Sequence, residues 1–198
     1  MSIELIIEII GALLALLYLW LEIRQRSAMW VVGIISSLFY IYIFFQAKFY
    51  ADVALQGYYI IAGIYGLVLW QRGKFRTHDT PSGKAKLAVS HTPLKTTVVL
   101  AVIALLLFGL FAGALQKYTD SPVPYGDALT TALSVVATWM LAHKFIEQWW
   151  IWLVVNAVSV GLYVWRGLYP TALLFFCYAV ASLLGYYSWR KEIVKKTL

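Results

Sequence analysis

The chain has 198 residues, 62% hydrophobic and 13% charged, with a formal net charge of +7. A soluble domain is nearer half apolar and a quarter charged. With a mean hydropathy of +0.77, the composition excludes a disordered chain, a coiled coil and an ordinary soluble enzyme, and it predicts an all-α integral membrane protein.

A helix needs about 20 mainly apolar residues to cross the hydrocarbon core. In chain order, seven stretches meet that description: 3–21, 28–45, 53–70, 94–115, 127–142, 148–165 and 171–188. Runs such as Thr97 to Phe108 do not alternate in polarity, which excludes a membrane β-barrel. Pro81, Pro93, Pro122, Pro124 and Pro170 all fall between spans or at their starts, where a residue that breaks the helical ladder is tolerated. The first span has no basic lead and continues to Trp20, so it reads as a transmembrane helix rather than a cleaved signal peptide. The single cysteine, Cys177, lies inside the last span and reads as a buried small residue.

The positive charge is distributed unevenly. Of the 16 Lys and Arg, 13 fall in alternate connections: Arg24 and Arg26, six between Arg72 and Lys95, Lys144, and four from Arg190 onward. The positive-inside rule makes that side cytoplasmic, with the N-terminus outside and the C-terminus inside. The basic balance thus reflects topology in the cell (inner) membrane and calls for no nucleic-acid partner.

Sliding the chain by 119 residues aligns Trp20 with Trp139, Trp30 with Trp149, Tyr50 with Tyr169, Tyr59 with Tyr178, Gly66 with Gly185 and Trp70 with Trp189. This predicts two parallel three-helix repeats, 1–70 and 127–190. They are joined by a basic cytoplasmic loop (71–93) and a linker helix with an outer loop (94–126), and a cytoplasmic tail follows (191–198). The 3+1+3 order is SWEET-like, and transporters built this way bind substrate near the midplane between the repeats.

Span 6 carries Trp149, Trp152, Asn156, Ser159 and Tyr163 at helical spacing on one face. An amide two turns into a span is costly unless it is bonded to another helix or faces a wet cavity. Trp149 fits an interfacial anchor as well as a stacking residue; Trp152, one turn deeper, fits the site better. The matching face of span 2 carries Trp30, Gly33, Ser37, Tyr40 and Phe44, and span 3 adds Gln56, Tyr59, Gly63, Gly66 and Trp70. The substrate-binding set expected from these faces is Trp149, Trp152, Asn156, Ser159, Gln56, Tyr59, Ser37 and Tyr40. Gly63 and Gly66 read as close helix contacts. Glu22, His143, Lys144 and Glu147 lie near inner ends, and no carboxylate, Lys, Arg or His falls at a midplane. The absence of a proton relay favours facilitated diffusion. Rings plus amides suit a flat heteroaromatic ligand and tolerate an organic cation. Neither the three histidines, His78, His91 and His143, nor their spacing suggests a metal. No cofactor is expected, and a membrane-embedded enzyme is the remote alternative to a carrier.

Phe49–Trp70, FYADVALQGYYIIAGIYGLVLW, and Glu147–Tyr169, EQWWIWLVVNAVSVGLYVWRGLY, resemble the third- and sixth-helix signatures of the PnuC vitamin transporters, and the similarity runs from about residue 8 to 191. The resemblance implies a SWEET-like fold and uniport of nicotinamide riboside, with thiamine or riboflavin as the cargo of related branches. It also implies trapping of the vitamin by a cytoplasmic kinase. The family's W-x-x-W pair falls on Trp149 and Trp152, its amide on Asn156 and its third-helix glutamine on Gln56. Tyr65-Gly66-Leu67 replaces a common Tyr-Gly-Trp, Trp150 interrupts the W-x-x-W, and Ala172–Phe175 lacks an acidic residue found in some riboside transporters. A homo-oligomer is left open by the sequence.

Overall fold

A computed structural model of the chain describes residues 3–46, 50–72 and 87–197. Seven α-helices lie among them: α1 (Ile3–Ile23), α2 (Ala28–Gln46), α3 (Tyr50–Arg72), α4 (Leu94–Tyr118), α5 (Pro124–Ala142), α6 (Gln148–Trp165) and α7 (Tyr169–Thr197). These helices fall on the seven expected stretches, with shifts at their ends. Pro93 stands at the N-cap of α4, and Pro124 opens α5 three residues before the expected start. Proline's fixed φ and missing N–H suit the first turn, where no intrahelical partner exists. The last helix runs past the apolar stretch through the basic residues beyond Arg190. Helices α4, α6 and α7 are long and apolar enough to cross a membrane. Shorter apolar stretches, Leu13–Ile23 and Ala28–Tyr42, lie in α1 and α2. Most of the basic loop expected at 71–93, residues 73–86, lies outside the described residues, as does His78.

The chain divides into two compact units, Met1–Ala88 and Val89–Leu198. In the first, α2 packs on α1 and α3. Its buried core includes Met29, Trp30, Leu69 and Trp70. The contacts of Trp30 with Gly66 and of Ile34 with Gly63 make α2 and α3 antiparallel. In the second unit α4 packs on α5, α5 on α6 and α6 on α7. Leu100, Val136 and Met140 form its core, with Ala104, Trp139, Phe145 and Ile151 packed around them. Most residues of α4 are exposed, Leu100 and Ala112 being the buried ones. Cys177 corrects an expectation: it is exposed on α7, on a face that no neighbouring helix covers, rather than buried.

The turn between α1 and α2 recurs 119 residues later between α5 and α6, bond for bond. Gln25 N–H donates to Glu22 O (2.9 Å) and Arg26 N–H to Leu21 O (2.9 Å); Lys144 N–H donates to Leu141 O (3.0 Å) and Phe145 N–H to Met140 O (3.0 Å). Among the described residues, Gln25 (φ 52°) and Lys144 (φ 54°) are the non-glycine ones with positive φ. Both turns are therefore Schellman motifs, in which one left-handed residue ends the helix and the next N–H reaches back to an orphan carbonyl. Trp20 and Trp139 carry matching partners one turn on. Arg24 lies over the Trp20 ring at 5.7 Å, and His143 lies on the Trp139 ring at 3.9 Å. His143 is half-buried, and burial pulls its pKa down, although Nδ1–H donates to Trp139 O (2.9 Å) and opposes that shift.

A second set of contacts fixes the start of α6. Ser90 pairs with the α5–α6 turn: its N–H donates to Lys144 O (3.2 Å), and its carbonyl accepts from Ile146 N–H (3.0 Å). Glu147 then takes three donors, His91 Nδ1–H (2.7 Å), Thr92 N–H (2.9 Å) and Thr92 Oγ1–H (2.7 Å). Burial raises the Glu147 pKa, but these hydrogen bonds to the carboxylate outweigh it, and the net shift is downward. Glu22, Lys144 and Glu147 all lie at helix ends, as expected of charges kept out of a bilayer centre.

Candidate functional site

The site is built on the face of α6 that turns toward α7. At its start, Trp149 is 1% exposed and stands edge-on to Trp189, with ring centroids 5.4 Å apart and planes at 89°. Its six-membered ring fills the notch left by Gly185: a Cβ there would meet Cη2 at 2.4 Å and Cζ2 at 2.5 Å. The same lock occurs in the first unit, 119 residues earlier. Trp30 stands edge-on to Trp70 (5.6 Å, 84°) and fills the notch of Gly66, where an added Cβ would meet Cζ2 at 2.4 Å. The sequence weighed Trp149 as an anchor or a stacking residue; the structure places it in a Trp–Gly–Trp packing unit shared by both halves. Gly66 and Gly63 permit the close helix contacts expected of them.

Trp152, one turn deeper, has no counterpart in the first unit, where Gly33 occupies the equivalent position and a Cβ added there would meet the Tyr18 ring at 3.1 Å. The Trp152 indole N–H is buried and finds no acceptor among the described residues. Trp30 and Trp149 share that property, so at those two positions it belongs to the packing unit itself. At Trp152 it has no counterpart in the first unit. A buried donor left unmade costs free energy, and a ligand acceptor would remove that cost.

Asn156 follows at i+4 from Trp152 and is 6% exposed. Its Nδ2–H donates to Ser182 Oγ on α7 (3.3 Å), and the Ser182 hydroxyl donates to Tyr178 O (2.9 Å). The amide is thus bonded across helices, one of the two roles its sequence position allowed. Ser159 is also buried, two turns beyond Trp152, and Tyr163 at the far end of the face packs on Phe175 at 5.1 Å. No Lys, Arg, Asp or Glu interrupts α6 between Gln148 and Trp165.

In the first unit, Ser37 is buried at the position equivalent to Asn156. Gln56 and Tyr59 are partly buried together on α3, with the Tyr58 and Tyr59 rings 5.5 Å apart. Tyr40 is exposed and stands edge-on to Phe39. Trp152, Asn156 and Ser159 thus share one surface of the second unit, whereas Ser37, Tyr40, Gln56 and Tyr59 belong to the first. The sequence reading missed Ser182. The signal for it was present in the 119-residue alignment, which sets Ser182 against Gly63 and so adds a hydroxyl opposite the position where Ser37 becomes Asn156.

A model of the nicotinamide mononucleotide transporter family matches residues 5–191. The chain belongs to that family. The nicotinamide riboside transporter PnuC of Escherichia coli K12 is 26% identical over 202 residues, which is 92% of this chain and 84% of that protein. The PnuC protein of Haemophilus influenzae is 27% identical over 96% of this chain and 81% of its own length. The riboflavin/roseoflavin transporter RibM of Streptomyces davaonensis is 26% identical over 92% of this chain and 83% of its own length. The fold is that of a crystal structure of the vitamin B3 transporter PnuC, with a TM-score of 0.70 at 20% identity over 93% of this chain and 80% of that one. Family membership makes this a membrane transport protein, and it points away from the membrane-embedded enzyme.

Proposed function

We propose that the chain is a uniporter for nicotinamide riboside, held by the α6–α7 face around Trp152 and Asn156. The observation that carries this reading is the pairing on one helix face of an aromatic ring with a spare buried N–H and an amide, with no charged side chain among them. A pyridinium ring stacks on an indole and gains from its negative face. A carboxamide offers both an acceptor for the indole N–H and a donor for the amide. The same face argues against a mononucleotide: a phosphate calls for Arg, Lys or a helix N-terminus, and none accompanies Trp152 and Asn156. In this reading the seven helices all span the inner membrane in a 3+1+3, SWEET-like order. The N-terminus is outside and the C-terminus in the cytoplasm, and a cytoplasmic kinase traps the product. The recurrence of the Schellman turn and the Trp–Gly–Trp lock at a spacing of 119 residues supports the two repeats.

With no midplane carboxylate to couple a proton, uptake follows the substrate gradient and the membrane potential. For a monocation the potential contributes about 2.3 kcal/mol per 100 mV. Proteoliposomes given a 100 mV inside-negative potential should then accumulate nicotinamide riboside about fifty-fold, and further still with a riboside kinase and ATP inside. Nicotinamide mononucleotide should not enter. Accumulation that follows an imposed proton gradient at zero potential would overturn uniport.

Riboflavin is the second reading, because RibM matches this chain at the same level of identity as the riboside transporters. Thiamine, a flat cation like the riboside, is the third substrate in the panel. Competition of each vitamin against labelled nicotinamide riboside ranks them.

A further inference from the structure

The Ser182 hydroxyl has one proton, and it is spent on Tyr178 O at 2.9 Å. Toward Asn156 it can therefore offer only a lone pair. The Asn156 amide has two different ends, an NH2 donor and a carbonyl acceptor, and an amide free to rotate could present either one. Facing a hydroxyl that can only accept, it must turn its NH2 to Ser182, as the 3.3 Å Nδ2–Oγ contact records. Its carbonyl oxygen Oδ1 is then the end left for a ligand. Asn156 and Ser182 are 6% and 2% exposed, so water does little to loosen this chain of bonds.

We propose that Ser182 is a positioning residue that locks Asn156 with its acceptor toward the ligand, so that the site requires an N–H or O–H donor there. This rests on the α6–α7 face being the riboside site. Next to it, Trp152 supplies a fixed donor through its unpartnered indole N–H. The face therefore reads as donor plus acceptor, the complement of a neutral carboxamide and the wrong match for a carboxylate. The first unit has neither end of this device: Gly63 stands where Ser182 is, and Ser37 stands where Asn156 is.

The test compares two ligands that differ only at this group, nicotinamide riboside and nicotinic acid riboside, by calorimetric binding to the purified full chain. A site built to meet a donor rejects an analogue that lacks one by a large factor, here about a hundredfold or more in favour of the amide. Ser182→Ala removes the lone pair and frees Asn156 to turn its NH2 toward the ligand. The preference should fall about tenfold, with the acid binding more tightly in absolute terms. Ser182→Thr keeps the hydroxyl and should restore the wild-type ratio. A merely structural role for Ser182 would weaken both ligands equally, so an unchanged ratio in Ser182→Ala overturns the proposal while leaving the riboside site in place. If the wild type binds neither riboside, the substrate reading falls and this one falls with it.

Discussion

Gly185→Ala tests the Trp–Gly–Trp lock most directly. An added Cβ would lie 2.4, 2.5 and 2.6 Å from Cη2, Cζ2 and Cζ3 of Trp149. Carbon atoms prefer about 3.5–4.0 Å, so the ring must retreat by about 1 Å. Little room exists for that, because Trp149 is 1% exposed and Trp189, edge-on to it, is 0% exposed. Overpacking of this kind costs about 1–3 kcal/mol, and two rigid bicyclic rings place it at the upper end. Alanine regains about 1 kcal/mol as the better helix former, which leaves a net loss of about 2 kcal/mol. For a chain of this size that is a fall of roughly 4–8 °C in Tm, read by thermal unfolding of the purified protein in one detergent. Gly161→Ala is the control. Nothing lies within 4 Å of its Cβ position, so only the helix gain remains and Tm should hold or rise. A second arm isolates the contact: the three clashing atoms all belong to the six-membered ring that Trp149→Phe trims. In the Trp149→Phe background only the helix gain remains, so Gly185→Ala should stabilise by about 1 kcal/mol, a coupling of about 3 kcal/mol in a double-mutant cycle. Equal Tm losses from Gly185→Ala in both backgrounds would refute the reasoning.

Three further outcomes follow from named contacts. Gln25→Gly, at the left-handed position of the first Schellman turn (φ 52°), should hold or raise Tm, because glycine adopts that conformation without strain; Gln25→Val should lower it by several degrees in the same assay. The Glu147 carboxyl titrates below its ordinary value, so its contribution to stability is present above the unfolded pKa of about 4.3 and is lost as pH falls through the folded value. The Tm gap between wild type and Glu147→Gln should accordingly be open at pH 7 and close as the pH falls through the folded value, below the ordinary glutamate range, and a gap that stayed open once the carboxyl was protonated would reverse the assignment. Trp152→Ala should lower riboside affinity at least tenfold in calorimetric binding, because it removes both the ring and the N–H; unchanged affinity would remove α6 from the site.

The helices were legible because a bilayer imposes one requirement, continuous apolar length, and prolines and charges mark where it ends. The bounds of α2, α4 and α6 begin within a residue of expectation. The start of α5 moved to Pro124 because an N1 proline reads equally well as a loop residue. Cys177 is exposed rather than buried: thiols are usually buried in soluble proteins, but an apolar helix has apolar residues on every face, so its sequence does not tell inside from outside. The 119-residue register was visible in tryptophans and glycines, but their purpose was not. Periodicity says that Trp149 and Asn156 share a face. Only the partner helix shows that one fills a glycine notch and the other bonds a serine. Nothing local to span 6 names Gly185, Trp189 or Ser182 as those partners.

The two halves agree and differ in a pattern that separates frame from site. They agree at Gln25 and Lys144, which adopt the same φ, and at Trp30–Gly66–Trp70 and Trp149–Gly185–Trp189, which form the same lock. Those positions set where each helix turns and how closely its neighbour approaches, so a residue that cannot keep that geometry would displace a whole helix. They differ one to two turns further along, where Gly33 becomes Trp152, Ser37 becomes Asn156 and Gly63 becomes Ser182. Each of these changes adds size or hydrogen-bonding capacity in the second half. Packing offers a reason only at Gly33, whose Tyr18 neighbour is replaced by Ala137 in the second half; Ile34, the neighbour of Gly63, is replaced by the equally large Leu153. A ligand that lacks two-fold symmetry gives one for all three changes. A riboside has a ring and an amide at one end and a sugar at the other, so it cannot present the same groups to two identical halves. The positions where a duplicated frame departs from itself in polarity are therefore where specificity should be altered by mutation, and the positions where it repeats are where stability should be.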